Sequence, residues 1–127
     1  MSLPVTALSG AILGLLIVFL AGRVSQLRIR YGASLGDHGH KDLGRFIRVH
    51  ANTVEWVPIF LVLCLLVELG GSGLPLQIAA AAFVLARLVY AAAMWTRGFS
   101  LGRQVGALLS YAVVAGLAIT LLVRAWP

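Results

Sequence analysis

The sequence has one cysteine, four acidic residues and little charge of any kind. A lone thiol, Cys64, sits inside the apolar run from Phe60 to Val67, so neither an internal disulfide framework nor a cysteine metal cluster can be built. There, the thiol is packing material. No Ser/His/Asp set, no pair of neighbouring carboxylates and no phosphate-cradling glycine loop occurs. No period of 20 to 50 residues repeats, and no segment is of low complexity, which removes solenoids and arrays. Alternating polar and apolar stripes are absent as well, so the apolar residues come in long runs.

Those runs decide the solvent. The 127 residues are 61% hydrophobic and 11% charged, with mean hydropathy +0.99. A soluble domain of this size leaves too much of its surface exposed to hide such a composition. We therefore read an all-α integral membrane four-helix bundle, a single domain over residues 1–127. Its spans run from about 5–27, 43–69, 75–95 and 103–124, since about 20 apolar residues cross the hydrocarbon. Met1-Ser2-Leu3-Pro4 lacks a positive n-region, and no small-residue cleavage site precedes the basic end of span one, so that span is expected to be retained. Asp42 is the expected N-cap of span two. Gly70-Gly71-Ser72-Gly73 closes that span, and Pro75 suits the first turn of span three. Gly10/Gly14, Gly106/Ser110 and Ala112/Gly116 are small pairs four apart that let helices approach closely.

The net charge of +6 follows the ends of the spans rather than a basic patch interleaved with aromatics, so nucleic acid is not an expected partner. The first loop and its flanks carry Arg23, Arg28, Arg30, Lys41, Arg45 and Arg48, and the third loop Arg97 and Arg103. The second has none, and Arg124 stands alone near the C-terminus. Loops one and three should face the cytoplasm, with both termini extracytoplasmic, in a bacterial-type inner membrane. Trp56, Trp95 and Trp126 suit interfaces or helix contacts.

Charge inside a span costs ~2.5–3.5 kcal/mol per residue on insertion scales and usually marks function. Arg48, Asn52 and Glu55 lie at i, i+4 and i+7, on one face of span two. Arg87, Tyr90 and Met94 share a face of span three, and Arg103 opens span four. Three guanidiniums, an amide and a carboxylate thus converge in the cytoplasmic half. Arginine's fork of donors matches carboxylates and phosphates. One Glu cannot neutralise three Arg, which points to an anionic ligand with more than one carboxylate. The competing reading is an internal Arg48–Glu55–Arg87 ion-pair network that only fastens helices. Arg45 reads as a snorkelling interface residue, His50 as a packing or interfacial histidine, and Pro58 as a kink serving either packing or the site. Asp37, His38 and His40 in the Gly-rich first loop are a weak metal signal without further ligands, and no metal is expected.

The run Arg48-Val49-His50-Ala51-Asn52-Thr53-Val54-Glu55-Trp56-Val57-Pro58 resembles the signature of the membrane-associated proteins in eicosanoid and glutathione metabolism (MAPEG), an Arg-x-x-x-Asn-x-x-Glu run followed by Pro. Arg45, Arg87 and Arg103 match as well, and the likeness covers essentially the whole chain. The resemblance implies a homotrimer that binds glutathione between subunits near the cytoplasmic side. The site residues it implies are Arg28, Arg48, Asn52, Glu55, Arg87, Tyr90 and Arg103, with Arg103 stabilising the thiolate. The implied activity is a glutathione transferase or peroxidase acting on lipophilic electrophiles that arrive through the lipid. The sequence departs from familiar members at Met94 and Ala107, where they carry Tyr, and at Gln104, where prostaglandin E synthase relatives carry Ser. These departures point away from prostaglandin or leukotriene synthesis. A non-catalytic binding or structural membrane protein, keeping the cluster for ligand sensing or trimer assembly, is the alternative. A small multidrug-type transporter is disfavoured because span one carries no carboxylate.

Overall fold

A computed structural model describes residues 2–96 and 101–126. Arg97, counted above in the charge asymmetry, lies outside the described residues, as does most of the expected third loop. Four helices follow in order: α1 (Pro4–Tyr31), α2 (Lys41–Leu69), α3 (Leu74–Trp95) and α4 (Leu101–Ala125). All four are long and apolar enough to cross a membrane. The expected spans fall inside these helices, and α2 runs unbroken through Pro58.

One local reading is extended by the structure and one needs correction. Helix α1 continues a full turn beyond Leu27, and it stops where Gly32 takes φ 61. There the amides of Gly32 and Ala33 return to the carbonyls of Ile29 and Arg28, a left-handed cap that glycine adopts without strain. Asp42 is not the N-cap of α2. The chain enters that helix at His40, in extended conformation, and Asp42 lies inside the first turn. Its carboxylate accepts from the Tyr31 hydroxyl at 2.7 Å and from the Leu43 amide at 2.9 Å. The Tyr31 ring in turn stacks on His40 at 3.8 Å. The first loop is thereby closed by a clasp between the end of α1 and the start of α2.

Helices α2 and α3 form the centre of the bundle. Helix α1 packs on both, α4 packs on both, and α1 and α4 do not meet among the described residues. The core is anchored by Phe60 and Phe83, both fully buried, with rings stacked 3.9 Å apart. At the end of the bundle where α2 turns into α3, buried Glu68 reaches across to α1. Its two oxygens accept the amides of Val5 at 2.9 Å and Thr6 at 2.8 Å. Those are N-terminal amides with no partner inside their own helix, and a carboxylate there also complements the helix dipole.

Helices α3 and α4 approach closely at Gly106. A Cβ built there would stand 2.7 Å from the Ala86 carbonyl oxygen and 3.0 Å from Tyr90 Cβ. Gly106→Ala should therefore lower the thermal unfolding midpoint in detergent, because overpacking against backbone costs about 1–3 kcal/mol. Gly22→Ala, where a Cβ meets nothing within 4 Å, should leave the midpoint unchanged or raise it. A Gly106→Ala protein as stable as wild type would show that the approach of α3 and α4 does not depend on a missing side chain here.

Candidate polar site in the basic half of the bundle

Arg87 is the centre of the site. It is the largest fully buried side chain, with 0% of its surface exposed. Its Nη2 donates to Asn52 Oδ1 at 2.9 Å and to Thr53 Oγ1 at 3.1 Å. The Thr53 hydroxyl donates onward to the Val49 carbonyl at 2.7 Å. The guanidinium carbon lies 4.6 Å from the centre of the Tyr90 ring. Its Nε and Nη1 are buried without a hydrogen-bond partner. A buried cation held by neutral groups, with donors unused, is costly unless something else completes it.

The expected α2 face divides between inside and outside. At about 100° per residue, Val49, Thr53, Val57, Phe60 and Cys64 define one buried stripe. Asn52 lies at its edge, half-buried, and turns inward to Arg87. Arg48 and Glu55 lie on roughly the opposite side and are exposed. Among the described residues no ion pair joins Arg48, Glu55 and Arg87, so the helix-fastening network has no support within one chain.

The remaining expected residues fall into two clefts. Tyr90, Arg103, Gln104, Ala107 and Tyr111 line one of about 380 Å³ beside α4. Tyr111 packs its ring 4.6 Å from Trp56 of α2. Gly36, Asp37, Gly44 and Arg48 line another of about 400 Å³ under the first loop. Arg28 reaches the second cleft only through that loop: its Nη1 donates to the carbonyls of Ala33, Ser34 and Gly36 at 3.2, 3.0 and 3.2 Å. Of the departures, Gln104 and Ala107 face the cleft with Arg103, whereas Met94 is buried in the core.

Two contributors were missed from sequence. Thr53, the second acceptor of Arg87, adjoins Asn52, but a threonine within an apolar helix carries no signal of its own. Arg23, in the basic half of α1, lies over aromatic rings, 5.4 Å from the Phe46 centroid and 4.9 Å from that of Trp95. Its position in a basic run made it look like an interface charge only.

A sequence model of the MAPEG family matches residues 6–123. Two curated proteins named Inner membrane protein YecN, from Escherichia coli strain K12 and Escherichia coli O6:H1, are each 38% identical to this chain over 68 residues. The alignment covers 54% of this chain and 52% of each relative. The chain thus spans about half the length of the curated relatives it matches.

Proposed function

The chain belongs to the MAPEG family and is an integral protein of the inner membrane, and from that premise we propose that it binds glutathione at the polar cluster and presents the thiol to lipophilic electrophiles. The reading rests first on Arg87. A carboxylate is what a buried guanidinium with two unused donors lacks, and glutathione carries two carboxylates and one ammonium. Asn52 and Thr53 hold the Arg87 fork in place, and the Tyr90 ring fixes its other side.

Arg48 and Glu55 support a site completed by a second copy. A cation and a carboxylate exposed on an apolar span are expensive against lipid, and cover by a neighbouring protomer removes that cost. We propose a homotrimer with glutathione between protomers: Arg48 would take a carboxylate and Glu55 the ammonium. Arg28 would act by shaping the first loop. Arg103 would favour the thiolate, the thiol proton passing to water; the sulfur would then bond to an electron-poor carbon as its leaving group departs or its conjugated π pair shifts to the acceptor. The cleft beside Tyr90 and Ala107 would admit the apolar reactant from the lipid. Retained binding without catalysis is the second reading, favoured by Gln104 and Ala107 standing in that cleft where relatives carry hydroxyl groups.

We expect Arg48→Ala and Glu55→Ala each to weaken glutathione binding by roughly tenfold to a hundredfold, the worth of a charge-assisted hydrogen bond. Arg124→Ala, at the other end of the bundle, should leave it unchanged. Calorimetric titration in detergent measures this, with native mass spectrometry on the same samples to confirm that trimers persist. Equal affinity in all three variants would dismiss the site, and a wild type found only as monomer or dimer would dismiss the shared interface.

The Lys/Arg asymmetry supports a bundle with loops one and three in the cytoplasm and both termini outside. A reporter fused to the C-terminus should be active only when it is of the kind that works outside the cytoplasm. Activity of a cytoplasm-dependent reporter there would reverse the orientation.

A further inference from the structure

At the end of the bundle away from the polar cluster, the end of α2, the start of α3 and the last turns of α4 enclose a cavity of about 550 Å³. Its walls are apolar, with Leu76 and Ala79 on α3 and Val113 and Leu117 on α4. Gly116 lies on its lining, and a Cβ there would meet nothing within 4 Å. The small residue that the sequence assigned to close helix contact therefore borders open space, and the gap between α3 and α4 continues past it.

The rim of this cavity is cationic. Arg124 lies on it, anchored through Nη1 to the Val67 carbonyl at 3.1 Å. It occupies room left by the missing side chain of Gly70, where a Cβ would come within 2.9 Å of the same nitrogen. The acidic residue nearest in sequence to that anchor, Glu68, is engaged elsewhere, by the amides of Val5 and Thr6. Among the described residues Arg124 has no carboxylate partner. The depth suits a headgroup. Helix α4 has 25 residues, roughly 37 Å against about 30 Å of hydrocarbon, so its last turn reaches the interface. Exposed Trp126 follows at the level where such rings anchor.

We propose that this cavity binds an anionic membrane phospholipid, its phosphate on Arg124 and one acyl chain lying between α3 and α4 past Gly116. The anionic class is selected by what the rim lacks. With Glu68 committed to α1, no carboxylate among the described residues balances Arg124; an acidic lipid brings a net negative charge to that cation, whereas the ammonium of a zwitterionic headgroup cancels the charge of its own phosphate. Basic pockets between transmembrane helices recognise acidic lipid headgroups in this way.

Native mass spectrometry of the full-length protein, released from detergent with added phosphatidylglycerol or phosphatidylethanolamine of matched acyl chains, tests the proposal. Wild type should retain phosphatidylglycerol roughly fivefold better, the contribution of one basic residue near a membrane surface. Inorganic phosphate alone should not be retained, because the acyl groove supplies the rest of the affinity. Arg124→Gln should lose the preference, Arg124→Lys should keep most of it, and Gly116→Phe should exclude both lipids. Glutathione binding by Arg124→Gln serves as the check of fold, independent of the lipid result. No preference in wild type, or a preference unchanged in Arg124→Gln, would overturn the proposal. So would a Gly116→Phe protein that dissociates while still holding lipid, since that result would make this face a contact between copies of the chain.

Discussion

Arg103→Leu should lower kcat by roughly 10²–10³-fold, the usual cost of removing one group that stabilises developing or standing negative charge, while raising the glutathione KM far less. The difference follows from geometry. Arg103 lines the cleft beside Tyr90 and Ala107, where a thiol could meet an apolar reactant. The carboxylate-binding groups proposed here belong to α2 and α3. A cation at short range in a partly dry cleft favours thiolate over thiol, and only the thiolate attacks. The loss should therefore fall on the chemical step. The thiolate absorbance of bound glutathione near neutral pH should disappear in the same variant. Full turnover in Arg103→Leu would move the activating role to another residue. A wild type that binds glutathione yet shows neither thiolate nor turnover with several electrophiles would establish the non-catalytic reading.

Arg87→Leu is expected to abolish measurable glutathione binding, a loss of a hundredfold or more, while leaving the bundle at least as stable as wild type. Replacing a buried charged group by an apolar one of similar volume is often neutral or stabilising. In this structure the guanidinium is fully buried among neutral partners, and two of its nitrogens have none. A residue serving only to fasten α2 to α3 would behave oppositely, since its removal would lower stability along with binding. Arg87→Lys separates charge from shape. It keeps the cation but loses the planar fork that holds Asn52 and Thr53 together, and it should recover little binding. Thermal unfolding and calorimetry on the same three proteins read both quantities. A large fall in stability in Arg87→Leu, with affinity following it, would return Arg87 to a structural role.

The four helices were legible in the sequence because long apolar runs leave few other structures open to a chain of this length. Their ends were less so. Leu27 is the last apolar residue before Arg28, and the helix itself runs on through the basic residues until Gly32 stops it. Asp42 has the composition of an N-cap; what displaces it is Tyr31, eleven residues earlier, a partner that only the closed loop brings near.

At the candidate site, helical periodicity correctly put Arg48, Asn52 and Glu55 on a common arc, but an arc has an inside and an outside. The apolar stripe of Val49, Val57, Phe60 and Cys64 carries that information, and it sends Arg48 and Glu55 away from the core. Glu68 carries no signal in the sequence because its partners are the N-terminal amides of α1, 63 and 62 residues away, and such pairing depends on topology rather than on local pattern. The convergence of Arg87 with Asn52 was readable from depth alone, since α2 and α3 run antiparallel and the two residues sit at similar distances from the basic end.

The central claim is that the polar cluster is a glutathione site, and titration of the detergent-purified wild-type protein with glutathione tests it most directly. Saturable binding is expected, one molecule per interface of the proposed trimer, lost in Arg87→Leu and unaffected in Arg124→Ala. Absence of saturable binding to a trimeric, folded wild type, or binding that persists in Arg87→Leu, would contradict the account.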